Sequence, residues 1–253
     1  ILSFLYFLMI NKRSQVTIFI IISILIIALI LIFFMFKGQI RQFLYSPEVE
    51  SVYLFVDNCI DEVGSEVIYK IGENGGYYFP PNFSTESGIP YYYSNGKSYM
   101  PSKEEIEKEI SFFVSEKLFF CTRNFIDFPN FEITQRDIKT KTTIKDDGVN
   151  LNINYPISIT HGESTNVIED FEKEIPVRLG IVYDSIEKII KEQLNHESIC
   201  LSCILDVSLE NDLYVDMMDY DEETVIFIFR DENSIINNKT YEFVFANKYE
   251  VEQ

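Results

Sequence analysis

Tryptophan is absent, histidine occurs twice, and no acidic residue precedes Glu48. The two histidines, His161 and His196, leave little material for imidazole chemistry. Neither stands in a recognisable motif, and the chain has no GxSxG, HExxH or GxxxxGK[ST]. Glycine and proline are sparse, 10 and 8 in 253 residues, and no repeat or low-complexity linker divides the chain. Basic residues are outnumbered, 21 Lys and Arg against 40 Asp and Glu, for a formal charge of −19. That balance argues against nucleic acid as a partner, because neutralising phosphates takes clusters of Lys and Arg. No cofactor motif is present. Carboxylates for an acid pair of the glycosidase type are plentiful, and nothing singles out two of them. The reading is therefore non-enzymatic, with no catalytic residue and no cofactor assigned.

What is present is laid out unevenly. Residues 1–46 hold Lys12, Arg13, Lys37 and Arg41 and no acid, so they carry +4 and the rest carries −23. Within that basic segment, Val16 to Phe36 is a run of 21 uncharged residues in which only Thr17 and Ser23 are polar. A helix of that length rises roughly 31 Å, the hydrocarbon thickness of a bilayer, whereas a cleaved secretory signal has an apolar core of about 7 to 15 residues. The expectation is a single-pass membrane protein with one transmembrane helix over residues 15–37, contacting the lipid bilayer through residues 16–36. Residues 1–14 are then cytoplasmic, and residues 38–253 form an acidic extracytoplasmic domain, divisible into lobes at 38–130 and 131–253. Met9 is a more natural start than Ile1, and residues 1–8 are given no function.

The fold class beyond the run reads as α+β, helices packed on antiparallel sheet. Pro47 suits a first helical turn, and Val49, Val52, Val56, Cys59, Val63 and Val67 follow at three- and four-residue steps up to a stop at Gly72. Ser102 and Glu105 read as a capping box ahead of a second helical stripe, Ile106, Ile110, Phe113, Val114, Leu118 and Cys121. From Val149 to Ile159 the period becomes two, after an Asp147-Gly148 turn signal, with Pro156 marking an edge or a bulge. A further strand is expected between Asn166 and Val177, then a helix from Leu179 to Leu194. Three strands close the chain: Asp212 to Met218, Thr224 to Arg230 and Lys239 to Tyr249.

Four cysteines permit three pairings. In an oxidising exterior the expected bridges are Cys59 to Cys121, joining two apolar stripes, and Cys200 to Cys203 as a local ring. Cys200-Leu-Ser-Cys203 has the spacing of a redox pair but is read as following a helix instead of opening one, which withholds the helix terminus that activates a thiol. His196 with these two cysteines supplies three zinc ligands where a structural site takes four, so no metal is assigned. The acids Asp216, Asp219, Asp221, Glu222 and Glu223 lack the spacing of a calcium loop and read as a solvated turn. Asn82 and Asn238 fit the N-glycosylation pattern. The candidate binding segment runs from Gly75 to Pro101, where Tyr77, Tyr78, Tyr91, Tyr92, Tyr93 and Tyr99, with Phe79 and Phe83, are set among Gly, Pro, Ser and Asn. It reads as a long loop whose tyrosines give contact area at low entropic cost. Serine at Tyr91, Tyr92 and Tyr93 is expected to weaken binding without unfolding, and the partner class is a protein or a surface glycan, with self-association open.

Lys12, Arg13, Ser14, Gln15 and Thr17, leading into the apolar run, resemble the class III signal of archaeal type IV pilins. That resemblance implies cleavage between Ser14 and Gln15 and assembly into a filament. Phe19 stands where such pilins carry Glu at the fifth mature position. The whole layout is also similar to single-span surface proteins of small-genome archaea, which implies a place on the cell surface and no activity.

Overall fold

A computed structural model describes residues 19–30, 47–196 and 198–249. Among the described residues, no helix is long and apolar enough to cross a membrane, which corrects the transmembrane, single-pass expectation. Residues 19–30, the described part of the apolar run, are helical (α1). The other long helices carry charges throughout. Residues 12–18, including the Ser14–Gln15 cleavage point, lie outside the described residues.

The chain forms two compact units divided between Ser51 and Val52. The second unit is α+β. From Val52 onward, helix α2, Pro47–Glu73, buries Val52, Val56, Cys59, Ile60, Val63, Val67, Ile68 and Ile71 along one side. Fully burying each such side chain contributes about 1.5–3 kcal/mol. The helix ends where Gly76, at φ +86, turns its N–H back to the Ile71 carbonyl at 2.8 Å, a left-handed stop that glycine adopts without cost. Just before it, Gly72 lets α2 press on a strand: a Cβ there would overlap the Glu242 carbonyl oxygen.

Two sheets pack against the helices. The first is ordered β2-β1-β9-β8-β7, from β1 (Tyr91–Ser94), β2 (Lys97–Ser98), β7 (Tyr214–Asp219), β8 (Thr224–Ile236) and β9 (Lys239–Lys248). Its pairs are antiparallel except β1 with β9, which is parallel. The second is built on β5 (Val149–His161), with β6 (Ser164–Ile175) along one edge and β3 (Glu132–Gln135) and β4 (Lys139–Ile144) in succession along the other. On β5 the odd positions Val149 through Ile159 are buried, as its alternation demands. Pro156 has no N–H to donate, and the β5–β6 register slips between Asn154 and Ile157, so proline marks a bulge in a central strand rather than an edge.

The capping box of α3, Lys103–Thr122, is present: Ser102 Oγ accepts from the Glu105 N–H, and Glu105 returns a carboxylate to the Ser102 N–H at 2.7 Å. Ile106, Ile110, Val114 and Leu118 are buried, while Ser111 and Ser115 donate to Thr142 and Thr140 of β4. Helix α4, Leu179–His196, and helix α5, Leu201–Asn211, complete the unit. Helix α5 and strands β1 to β3 were not foreseen in the sequence, whereas the Asp147-Gly148 turn signal joins β4 to β5 as an antiparallel hairpin. A buried carboxylate ties α4 to β8: Asp231 receives the Arg178 guanidinium and the Ser234 hydroxyl, and the Asn233 N–H at 3.1 Å.

Candidate functional site

The tyrosine segment is mostly structure. Tyr92 is fully buried on β1, stacked on Phe245 at 4.6 Å between ring centroids, with its hydroxyl donating to the Gly75 carbonyl at 3.0 Å. Burial holds its hydroxyl well above the usual phenol range. Tyr93 is buried beside Tyr249. Tyr91 is half-buried. Serine at Tyr91, Tyr92 and Tyr93 together would therefore empty a core position, which overturns the expectation of a harmless triple change. The segment also contains a hairpin, because Asn95 and Gly96, both at positive φ, turn β1 into β2.

Tyr78 is buried as well, and it is the floor of an aromatic surface. Its N–H donates to Glu109 Oε1 at 3.1 Å, and its ring stacks on Phe113 of α3 at 3.9 Å. Phe79 meets Phe113 at 5.5 Å and Phe112 meets it at 5.0 Å, both edge-on. The outer two rings face solvent, Phe79 with 66% of its surface and Phe112 with 59%. Lys117 lies over the Tyr78 ring at 5.8 Å and pairs with Glu66 at 3.0 Å, so a cation and an anion border the rings. Tyr77, half-buried nearby, has its hydroxyl pushed up by burial and then by Glu105 and Glu109. Phe119 lies seven residues beyond Phe112, on the same side of α3 and roughly 10 Å along its axis, and is also exposed. A second cluster joins Phe83 to Tyr91 at 5.0 Å and to Tyr99 at 4.6 Å; Phe83 and Tyr99 are exposed.

Phe112 and Phe119 were missed in the sequence, although their signal was present. In a helix whose buried stripe is Ile106, Ile110, Val114 and Leu118, both phenylalanines fall off the stripe.

Both cysteine pairs are bridged, and they differ in setting. Cys59–Cys121 fastens α2 to α3 across a sequence separation of 62, with Cα atoms 5.8 Å apart and Cys59 buried. Cys200–Cys203 closes a separation of 3 at the surface. Contrary to the sequence reading, this pair opens a helix: Cys200 is the N-cap of α5, and its sulfur accepts the Cys203 N–H at 3.3 Å. With both sulfurs in a disulfide, the His196, Cys200 and Cys203 set has no free thiolate to offer a metal. His196 and His161 are exposed; His196 is 4.0 Å from Glu192, and the ring of His161 lies 5.3 Å from Phe131.

The acidic turn between β7 and β8 borders a cleft of about 520 Å³ with Tyr249. Its charges are spread outward: Asp216 pairs with Arg230, Glu223 pairs with Lys248 at 2.9 Å, and Asp221 accepts the Glu223 N–H. Among the described residues no cluster of three metal-ligating side chains forms. Asn82 and Asn238 are exposed, the latter in the β8–β9 turn. No family model, curated protein or solved structure matches the chain.

Proposed function

We propose that the domain from Val52 onward is a disulfide-braced, non-enzymatic interaction module working in an oxidising exterior, and that it holds a partner protein or surface glycan on the rings of Phe79, Phe112 and Phe113. The observation that carries this reading is three rings, Tyr78, Phe79 and Phe112, each packed against Phe113, with Tyr78 beneath and Phe79 and Phe112 largely in water. A folded chain gains nothing for its own stability from leaving such rings uncovered. Aromatic side chains anchor interfaces because they are large and rigid, and sugar faces stack on the same surfaces. The Glu66–Lys117 pair at the border supplies polar contacts that fix orientation. Two disulfides suit an oxidising compartment.

The test is Phe79→Ser combined with Phe112→Ser, measured against panels of purified exterior proteins and of surface glycans. Binding falls at least tenfold with the thermal midpoint nearly unchanged, since losing an aromatic anchor costs about 2 kcal/mol or more at an interface and little at an exposed site. Loss on one panel only identifies the partner class. Undiminished binding on the panel that responds to the native chain removes this surface from the account.

A further inference from the structure

Cys200 and Cys203 stand apart from the aromatic surface and have a chemistry of their own. The bridge ties together only the cap and first turn of α5, so opening it releases no other element, whereas Cys59–Cys121 holds two helices. Both sulfurs are near the surface, and the Cys203 N–H and the Ser202 hydroxyl surround the Cys200 sulfur at 3.3 and 3.5 Å. Those donors, with the positive end of the helix dipole, stabilise negative charge on Cys200 when it is released. Downstream, Ile204 and Val207 anchor α5 in the core, while Leu201, Leu205 and Leu209 recur every four residues and are all exposed. An apolar stripe thus begins at the disulfide and runs along the helix in water.

We infer that Cys200–Cys203 is a thiol–disulfide exchange site for a cysteine-bearing polypeptide, with the leucine stripe as the seat for that polypeptide's apolar side chains. The occupant's chemistry follows from the reactive group at the head of the stripe: only a thiol exchanges with a disulfide. A thiolate of the partner attacks Cys200 Sγ, the Cys200–Cys203 bond breaks, and Cys203 leaves with the electron pair and takes a proton from water. The partner's second thiolate then attacks its own sulfur in the mixed disulfide, and Cys200 leaves as the stabilised thiolate. Two electrons pass from the partner's dithiol to this chain, whose own disulfide is the oxidant.

The experiment has two arms. The full native chain is equilibrated in glutathione buffers of graded ratio, alkylated, and mapped by peptide mass. Cys200 and Cys203 become alkylated together at ratios where Cys59 and Cys121 remain bridged and the circular dichroism is unchanged; simultaneous opening of both bridges, or opening only on unfolding, overturns the inference. In the second arm, Cys203→Ser is mixed with an apolar peptide carrying an activated disulfide. A one-to-one adduct on Cys200 forms, and adding Leu201→Ser and Leu205→Ser together slows it at least roughly tenfold, the factor that losing even one buried leucine contact sets. No adduct on Cys200 refutes exchange, and an unchanged rate refutes the seat.

Discussion

Removing the Cys59–Cys121 bridge by paired alanine substitution tests how the domain is held together. The bridge spans a separation of 62 residues, and cross-linking a loop of that size removes roughly 14 cal/mol/K of entropy from the unfolded chain, about 4 kcal/mol at room temperature. The same relation gives about 2 kcal/mol for the ring closed by Cys200 and Cys203, whose separation is 3. For a unit of this size, a loss of about 4 kcal/mol lowers the thermal midpoint by roughly 8–16 °C. Urea unfolding of the two paired-alanine variants beside the native chain measures both losses on one scale. A Cys59/Cys121 loss below about 1 kcal/mol, or equal losses for the two variants, would refute the reasoning that loop span sets their difference.

Asp231→Ala leaves the Arg178 guanidinium without its buried partner; a loss of about 3–5 kcal/mol in urea unfolding is expected, and one under about 1 kcal/mol would contradict the assignment of that pair as a structural tie. Tyr92→Ala costs about 3–5 kcal/mol by emptying the space against Phe245, whereas the exposed Tyr99→Ser stays within about 0.5 kcal/mol. Tyr183 and Tyr249 have their hydroxyls raised by burial from 10.0 to about 12. Both are uncharged when protonated, so the stability they contribute is complete below pH 10 and lost as pH rises toward 12. Phenolate absorbance read with urea midpoints across that window checks it, and midpoints that hold steady while these phenols ionise would contradict it.

Much of the second unit was legible because burial and local pattern agree there. Val149 through Ile159 alternate and are buried in alternation; Ser102 and Glu105 spell a capping box and make one. Helix α5 escaped because its leucines point to water, so their four-residue spacing does not coincide with a core-facing stripe, and CxxC was read as a bridge after a helix. The Asn95-Gly96 pair was a hairpin signal within the tyrosine segment, obscured by composition that reads as loop. The parallel pairing of Tyr91–Ser94 with the far end of the chain leaves no local trace, since it depends on the distant β9. Phe79 was legible as part of the aromatic segment, whereas the exposed ring of Phe112 was obscured because it lies on a helix read only for its buried side.

The central claim is that the Phe79, Phe112 and Phe113 rings meet a partner. The most direct measurement places a benzophenone side chain at Phe112 of the full chain, and in a parallel preparation at Val167, an exposed position on β6, then irradiates both at the surface of intact cells. The account predicts a discrete adduct from position 112 that is lost when Phe79 is also changed to Ser, and none from position 167. No adduct from position 112, or the same adduct from both positions, would contradict it.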